Sequence, residues 1–161
     1  MPILKQYKCL TDLSKIVSEI ENLRARPTIR GKHATIYDDR VNGKYRTVMG
    51  IRICDYKFNT DETRVLYDRQ MGLSFSASWD NLKFSFGMVS KKAKKKPVDV
   101  YWVLSEADIP PGLEFVEDET NSEHYFLAMT DENGMKVKEL ADKLRMVAYR
   151  MSVIKGGGKC I

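Results

Sequence analysis

Cysteine and histidine are both scarce in this chain of 161 residues, which contains three cysteines and two histidines. Cys9, Cys54 and Cys160 are odd in number and far apart, and no Cys-x-x-Cys pair occurs. This pattern argues against a disulfide framework and against a cysteine-based zinc site. With only two histidines, a transition-metal site built by the chain is not expected either.

Long apolar runs are also lacking. No stretch approaches the roughly 18 uninterrupted apolar residues that a membrane helix needs. The opening residues, MPILKQYK, have neither the apolar core nor the small-residue cleavage site of a secretory signal peptide. We therefore expect a cytoplasmic protein that does not enter a membrane, although delivery into a target cell without a signal peptide stays open.

Several familiar motifs of catalysis and phosphate binding are absent: Gly-x-Gly-x-x-Gly, the Walker loop, His-Glu-x-x-His and Gly-x-Ser-x-Gly. His33-Ala-Thr35 matches one half of the paired His-x-Thr/Ser element of two-histidine phosphoesterases. His124-Tyr-Phe126 does not supply the other half, because phenylalanine cannot hydrogen-bond an oxyanion. These motifs therefore do not define the chemistry of the chain.

Length and composition predict a single α+β domain. A chain of 161 residues with 43% hydrophobic residues is ordinary for one soluble domain with one sizeable core. An opening strand at 3–10 is followed by a helix that Thr11 or Asp12 caps and that ends at Pro27 and Gly31. Short strands are expected at 33–37, within 44–58 and at 65–67.

The second half of the chain contains the stronger pattern. Three apolar runs at 98–104, 113–116 and 124–129 predict strands, and the first is apolar enough for a central strand. A short helix should begin at Ser78 and run to about Phe86, followed by a lysine-rich loop or frayed helix end. The main helix is expected over about 135–153.

Together these elements predict a mostly antiparallel sheet with an N-terminal and a C-terminal helix packed on it. The domain should span residues 1–154, and residues 155–161 should form a flexible glycine-rich tail.

A family resemblance runs mainly from Leu66 to Met151. Asp108-Ile-Pro-Pro-Gly-Leu113, then Glu123-His-Tyr125 and a terminal helix, resembles the ADP-ribosyltransferase-like toxins delivered by type VI secretion systems. Gly72-Leu-Ser-Phe-Ser76 is similar to the hydroxyl-bearing strand of that family, and Gln6-Tyr-Lys8 takes the place of its aromatic-basic pair. The resemblance implies an ADP-ribosyltransferase-like fold that holds nicotinamide in a cleft.

The resemblance also implies a function: a toxin domain that binds NAD as a substrate, acts on a cytoplasmic target and has an immunity or antitoxin protein as partner. Its catalytic residues would be Tyr7, Ser74 and His124, and its cofactor-binding residues would be Lys8, Ser76 and Tyr67.

Cleavage of the glycosidic bond of NAD needs an aromatic surface for nicotinamide and hydroxyl or lysine donors for ribose and diphosphate. It also benefits from a carboxylate beside the oxocarbenium-like transition state. Candidates for that carboxylate are Glu114, Glu117 and Glu123.

A second function class follows from charge. The net charge is +5, and much of the excess lies in Lys91–Lys96, which could contact phosphates although such runs are more often solvated connectors. Further cations of a nucleic-acid-binding protein would be Lys83, Arg24, Arg26, Arg30, Arg40, Arg46 and Arg52, and bases could stack on Tyr45, Tyr56, Phe58 and Trp79. A third alternative is an accessory factor of a phage or mobile element without catalysis.

Overall fold

The computed structural model describes residues 4–157. The strands of the main sheet are β1 (Leu4–Tyr7), β2 (Ala25–Ile29), β7 (Leu73–Ser76), β8 (Val98–Trp102), β9 (Leu113–Asp118), β10 (Asn121–Met129) and β12 (Ser152–Gly156). Their order across the sheet is β1-β12-β8-β2-β7-β10-β9. The β1–β12 pair is parallel and the other neighbouring pairs are antiparallel.

The remaining strands are short. They are β3 (Thr47–Val48), β4 (Ile51–Arg52), β5 (Lys57–Phe58), β6 (Arg64–Leu66) and β11 (Met135–Lys136). The order β11-β6-β5 forms a three-stranded sheet, and β3 pairs with β4. The helices are α1 (Leu10–Ser18), α2 (Trp79–Ala93) and α3 (Val137–Arg150), with one 3-10 turn at Glu106–Asp108.

Helices cover both faces of the main sheet. Alternation along β8 places Val98, Val100 and Trp102 on the face that α1 and α2 cover, where Leu13 and Leu82 are fully buried. The apolar side of α3 packs into a second cluster, which also includes residues of β7, β10 and the small sheet. The described residues therefore form a single α+β domain, as predicted, and β8 is a central strand between β12 and β2.

The predicted first helix is too long. α1 ends at Ser18, and Pro27, expected near the helix end, lies inside β2. The cap differs as well: Cys9 is the N-cap residue without a side-chain bond, while Asp12 accepts the backbone N–H of Lys8.

Pro27 is tolerated in an interior strand because of its register. Val103 donates its N–H to the carbonyl of Arg24, and Arg30 donates its N–H to the carbonyl of Pro97. Even-numbered residues of β2 therefore bond to β8, and the backbone nitrogen at position 27 faces β7. β7 pairs with β2 only at Ala25, so Pro27 interrupts no ladder bond on that side.

Two further predictions, on residues 33–37 and on the length of α2, need correction. Residues 33–37 are irregular, because the Nδ1 atom of His33 accepts the N–H groups of Thr35 and Ile36 and closes a turn. α2 begins after Ser78 as predicted but continues to Ala93, so that Lys91 and Lys92 are helical.

The C-terminal end also differs from the prediction. α3 stops at Arg150, and 152–156 forms β12, inserted between β1 and β8. Lys155 and Gly156, assigned to the tail, are thus part of the sheet, and residues 158–161 of that tail lie outside the described residues.

Candidate functional site

Tyr7 does not join the other predicted catalytic residues. It lies on edge strand β1, four strand positions from β7, which corresponds to about 19 Å. Its buried hydroxyl donates to the carbonyl of Val98 at 2.5 Å, and its ring contacts Phe86 edge-on at 5.9 Å. Tyr7 is therefore a core residue, and the expected convergence of Tyr7 with Ser74, Ser76 and His124 does not occur.

The predicted cofactor-binding residues are also dispersed. Lys8 follows β1 and shares its edge of the sheet, where its side chain is exposed. Tyr67 follows β6 of the small sheet and, with Glu114, raises the pKa of Arg69 through hydrogen bonding. Ser76 is buried on β7 and accepts Nδ2 of Asn81 at 2.7 Å.

Ser74, Ser76 and His124 do come together. Antiparallel pairing of β7 with β10 sets His124 opposite Ser76 and Phe126 opposite Ser74, so these side chains share one face. The ring of His124 meets that of Phe126 edge-on at 4.9 Å. This part of the predicted constellation is therefore assembled by two neighbouring strands.

A carboxylate accompanies His124, although it is not one of the three predicted glutamates. Nδ1 of His124 lies 2.9 Å from Oδ2 of Asp118, across the β9–β10 hairpin. The backbone N–H and the hydroxyl of Thr120 donate to the other oxygen at 2.8 and 2.7 Å. The N–H of Thr120, with its hydroxyl and His124, lowers the pKa of Asp118, so the carboxylate is held in its charged form.

The predicted glutamates have other contacts. Glu114 pairs with Arg69 at 2.6 Å, Glu123 accepts the hydroxyl of Ser78 at 2.6 Å, and Glu117 is 3.4 Å from the hydroxyl of Tyr125. Sequence spacing could not identify Asp118, because its approach to His124 depends on the hairpin register.

A cavity of about 380 Å³ lies at a different place, beside the gap between β2 and β7. Beyond Ala25 the two strands separate, and residues 32–52 fold along the open edge of β2. Val89 and Lys92 of α2 form another part of the wall. We call this cavity the Tyr45 cleft.

Four cationic side chains lie around the ring of Tyr45, and three of them, Arg40, Arg52 and Lys92, line the cleft. Their charged groups lie 4.8 Å (Arg52), 5.0 Å (Lys44), 5.8 Å (Lys92) and 5.9 Å (Arg40) from the ring centroid. Arg52 also stacks on Tyr37, with 3.7 Å between its Cζ atom and that centroid. Each arrangement is within the range of a cation–π interaction.

Several other arginines of the protein have an acidic partner, whereas these four cations have none within the described residues. Arg30, Arg46 and Arg69 each form an ion pair with Asp99, Glu62 and Glu114 respectively. Within residues 4–157, no carboxylate lies within 4.0 Å of the charged groups of the four cations around Tyr45. The cleft therefore concentrates positive charge that the protein itself does not neutralise.

Acidic residues are nevertheless present nearby. Asp38 and Asp39 line the cleft, and Asp38 pairs with Lys32. Asp55 lies close enough to Arg26 and Arg52 to feel their charge, but burial dominates and raises the pKa of its carboxyl group. These groups moderate the positive charge at the rim without neutralising the ring of cations.

Arg26 holds one side of the cleft in place through hydrogen bonds to three neighbouring residues. Its guanidinium donates to the carbonyl of Ala34 and to the carbonyl of Ser74, both at 2.7 Å, and to the hydroxyl of Tyr37 at 2.9 Å. One side chain on β2 thereby spans the gap to β7 and fixes both the covering segment and a tyrosine of the cleft. Its donors point into the protein, which makes it a positioning residue.

The sequence identified part of this cleft and missed the rest. Tyr45, Arg26, Arg40 and Arg52 were among the candidates for nucleic-acid binding, whereas Tyr37 was not. Tyr56, another candidate, is buried and donates its hydroxyl to the carbonyl of Leu127 at 2.6 Å. Phe58 and Trp79 pack against the two cores. The missed signal was the interleaving of aromatic and basic residues over 37–52.

Comparisons of this chain with protein-family models, with curated proteins and with solved structures found no match. The ADP-ribosyltransferase-like fold therefore stays a prediction. In the part of the chain that the structure describes, no helix is long and apolar enough to cross a membrane. The same residues contain no group of three or more His, Cys, Asp or Glu side chains that could hold a metal ion.

Proposed function

We propose that this protein binds single-stranded nucleic acid and holds one nucleotide in the Tyr45 cleft. The observation that carries the proposal is the ring of cations around Tyr45 that lacks carboxylate partners. Phosphates are the anions that such a ring would neutralise, and the tyrosine offers a flat aromatic surface beside them. This is the second of the function classes that the sequence suggested.

The dimensions of the cleft agree with single-stranded nucleic acid and not with a duplex. A volume of about 380 Å³ is at the lower end of small-ligand pockets, which suits one base with its sugar. Neither the rim nor the floor presents a free helix that could enter a major groove, since α2 contributes only Val89 and Lys92 from its flank. Aromatic stacking with backbone neutralisation is the usual mode for single strands.

Salt dependence gives the sharpest test. The probe is a fluorescein-labelled oligothymidine of twelve nucleotides, titrated by anisotropy between about 50 and 200 mM salt. If each cation around Tyr45 neutralises one phosphate, log K against log salt should have a slope of about −2.8, and Arg52→Ala should reduce it by about 0.7.

The matched control is Arg69→Ala, which removes an exposed arginine that is paired with Glu114. We expect this variant to bind as the wild type does. A flat salt dependence, or an equal loss of affinity in Arg52→Ala and Arg69→Ala, would contradict the proposed site.

A second candidate function is NAD-dependent ADP-ribosyl transfer, supported by the pairing of His124 with Asp118 beside Ser74 and Ser76. In this proposal His124 contacts the substrate, its imidazole held in place by the carboxylate, and the serine hydroxyls bind ribose. An immunity protein would be its natural partner.

The test of this candidate is release of nicotinamide from NAD, together with growth arrest when the protein is expressed in the cytoplasm. His124→Ala and Ser74→Ala should abolish both effects while the protein stays folded. Absence of NAD binding by calorimetry, with normal growth at high soluble expression, would refute it.

A further inference from the structure

The outward face of α2 carries two large apolar side chains without partners in the core. Phe84 and Met88 are 79% and 61% exposed. Their spacing of four residues places them in one stripe on the helix, and Lys91 continues that stripe by nearly two turns from Phe84. An exposed aromatic of this kind usually marks a contact surface.

This stripe continues into the Tyr45 cleft. Lys92 lies four residues beyond Met88 and so adjoins it on the helix surface, and its Nζ atom is 5.8 Å from the ring centroid of Tyr45. Eight residues separate Phe84 from Lys92, which corresponds to about 12 Å along a helix. Nucleotides stacked at about 3.4 Å would cover this distance with three or four units.

Charge around the stripe identifies the chemistry of the occupant. α2 carries Lys83, Lys91 and Lys92, and Lys94–Lys96 follow its end. The one carboxylate of the helix, Asp80, belongs to the first turn, at the end away from the cleft. The surface is therefore basic and aromatic, and it adjoins the cations around Tyr45.

We infer that the outward face of α2 is a second contact surface for the strand held in the Tyr45 cleft, with Phe84 as a stacking platform. This inference rests on the proposed function. Phe84 stacks against a base three or four nucleotides from the one in the cleft, Met88 packs against the base before it, and Lys91 neutralises the intervening phosphate. The binding site then extends beyond the cavity.

Oligothymidines of two lengths separate the cleft from the helix. An oligomer of two nucleotides fills the cleft and its entrance, whereas one of twelve also reaches Phe84. Phe84→Ala should weaken binding of the longer probe by about 5- to 150-fold and leave the shorter one unchanged. Phe84→Tyr should restore binding, since it keeps a stacking ring.

The control is Met146→Ala, which removes an exposed apolar side chain from α3, a helix that does not line the cleft. It should bind both lengths as the wild type does. Equal loss for both lengths in Phe84→Ala, or no loss for either, would overturn the inference while the proposed function stands.

Failure of both oligomers to bind wild-type protein would instead refute the proposed function itself. Loss of self-association or of binding to anionic vesicles in Phe84→Ala, without any change for the longer oligomer, would assign this face to a second copy or to a lipid surface and overturn the inference.

Discussion

Removing the carboxylate of Asp99 should destabilise the fold by about 2–4 kcal/mol. Asp99 is 3% exposed and accepts hydrogen bonds from Nε and Nη2 of Arg30, at 3.2 and 2.6 Å, and from the N–H of Gly156 at 2.9 Å. Arg30 also donates to the carbonyl of Gly156 at 2.8 Å. In Asp99→Ala, these donors lose their acceptor.

The magnitude follows from the two partners. Breaking a fully buried pair costs about 3–5 kcal/mol, but the Arg30 side chain is 42% exposed and regains water, which reduces the loss. The N–H of Gly156 is buried and stays unsatisfied, which costs about 1–3 kcal/mol. The effect is large relative to the 5–15 kcal/mol stability of a typical domain.

Urea denaturation followed by circular dichroism measures the effect. With a slope of about 2 kcal/mol per molar urea, the midpoint should fall by about 1–2 M. The control is Glu114→Ala, which breaks an exposed pair with Arg69 and should leave the midpoint nearly unchanged. A shift in Asp99→Ala no larger than that of the control would refute the reasoning that this pair anchors β12.

Two further predictions concern side-chain hydrogen bonds. Partial desolvation, with the nearby charge of Arg145, lowers the pKa of His33, whose Nδ1 accepts the N–H groups of Thr35 and Ile36. Its contribution to stability should therefore be full above pH about 6.5 and be lost as the pH falls towards the folded-state pKa. As the pH is lowered through this range, the urea midpoint should fall for the wild type but not for His33→Gln. Parallel plots of midpoint against pH for the two proteins would contradict this prediction. Tyr56→Phe should cost about 1–3 kcal/mol, because the buried hydroxyl donates to the carbonyl of Leu127 at 2.6 Å; calorimetry showing an unchanged melting temperature would exclude this role.

Local signals in the sequence predicted the elements whose causes are local. Ser78 caps α2 as expected, since its hydroxyl accepts the N–H of Asn81 at 3.2 Å. The apolar run at 98–104 predicted a central strand, and β8 is one. Periodicity also located α3, apart from its last turn.

Pairing between distant segments was not predictable in the same way. β12 contains Ser152, Lys155 and Gly156, and its place between β1 and β8 depends on contacts with residues about 50 and 150 positions earlier. For the same reason the sequence did not show that Tyr7 and His124 lie far apart. Both belong to one sheet, but only the strand order reveals that β12, β8, β2 and β7 lie between their strands.

In the candidate site, too, the sequence indicated the chemistry of single residues but not which residues come together. Tyr45, Arg40 and Arg52 were chosen for their chemistry, but their convergence depends on the path of residues 32–52. The residue pattern predicted short strands within this segment but not their position in the fold, and the family resemblance did not reach it. Asp118 was missed because a six-residue separation from His124 becomes a direct contact only in a hairpin with shifted register.

Pro27 has a consequence for how a ligand enters. Its ring nitrogen carries no hydrogen and cannot donate a hydrogen bond to β7. The pairing of β7 with β2 therefore does not continue past Ala25. The edge of β2 at residues 27–29, which lines the Tyr45 cleft, therefore stays unpaired with β7. In the proposed function, an oligonucleotide that enters the Tyr45 cleft would not have to separate two hydrogen-bonded β-strands, so none of its binding free energy would be lost to that step.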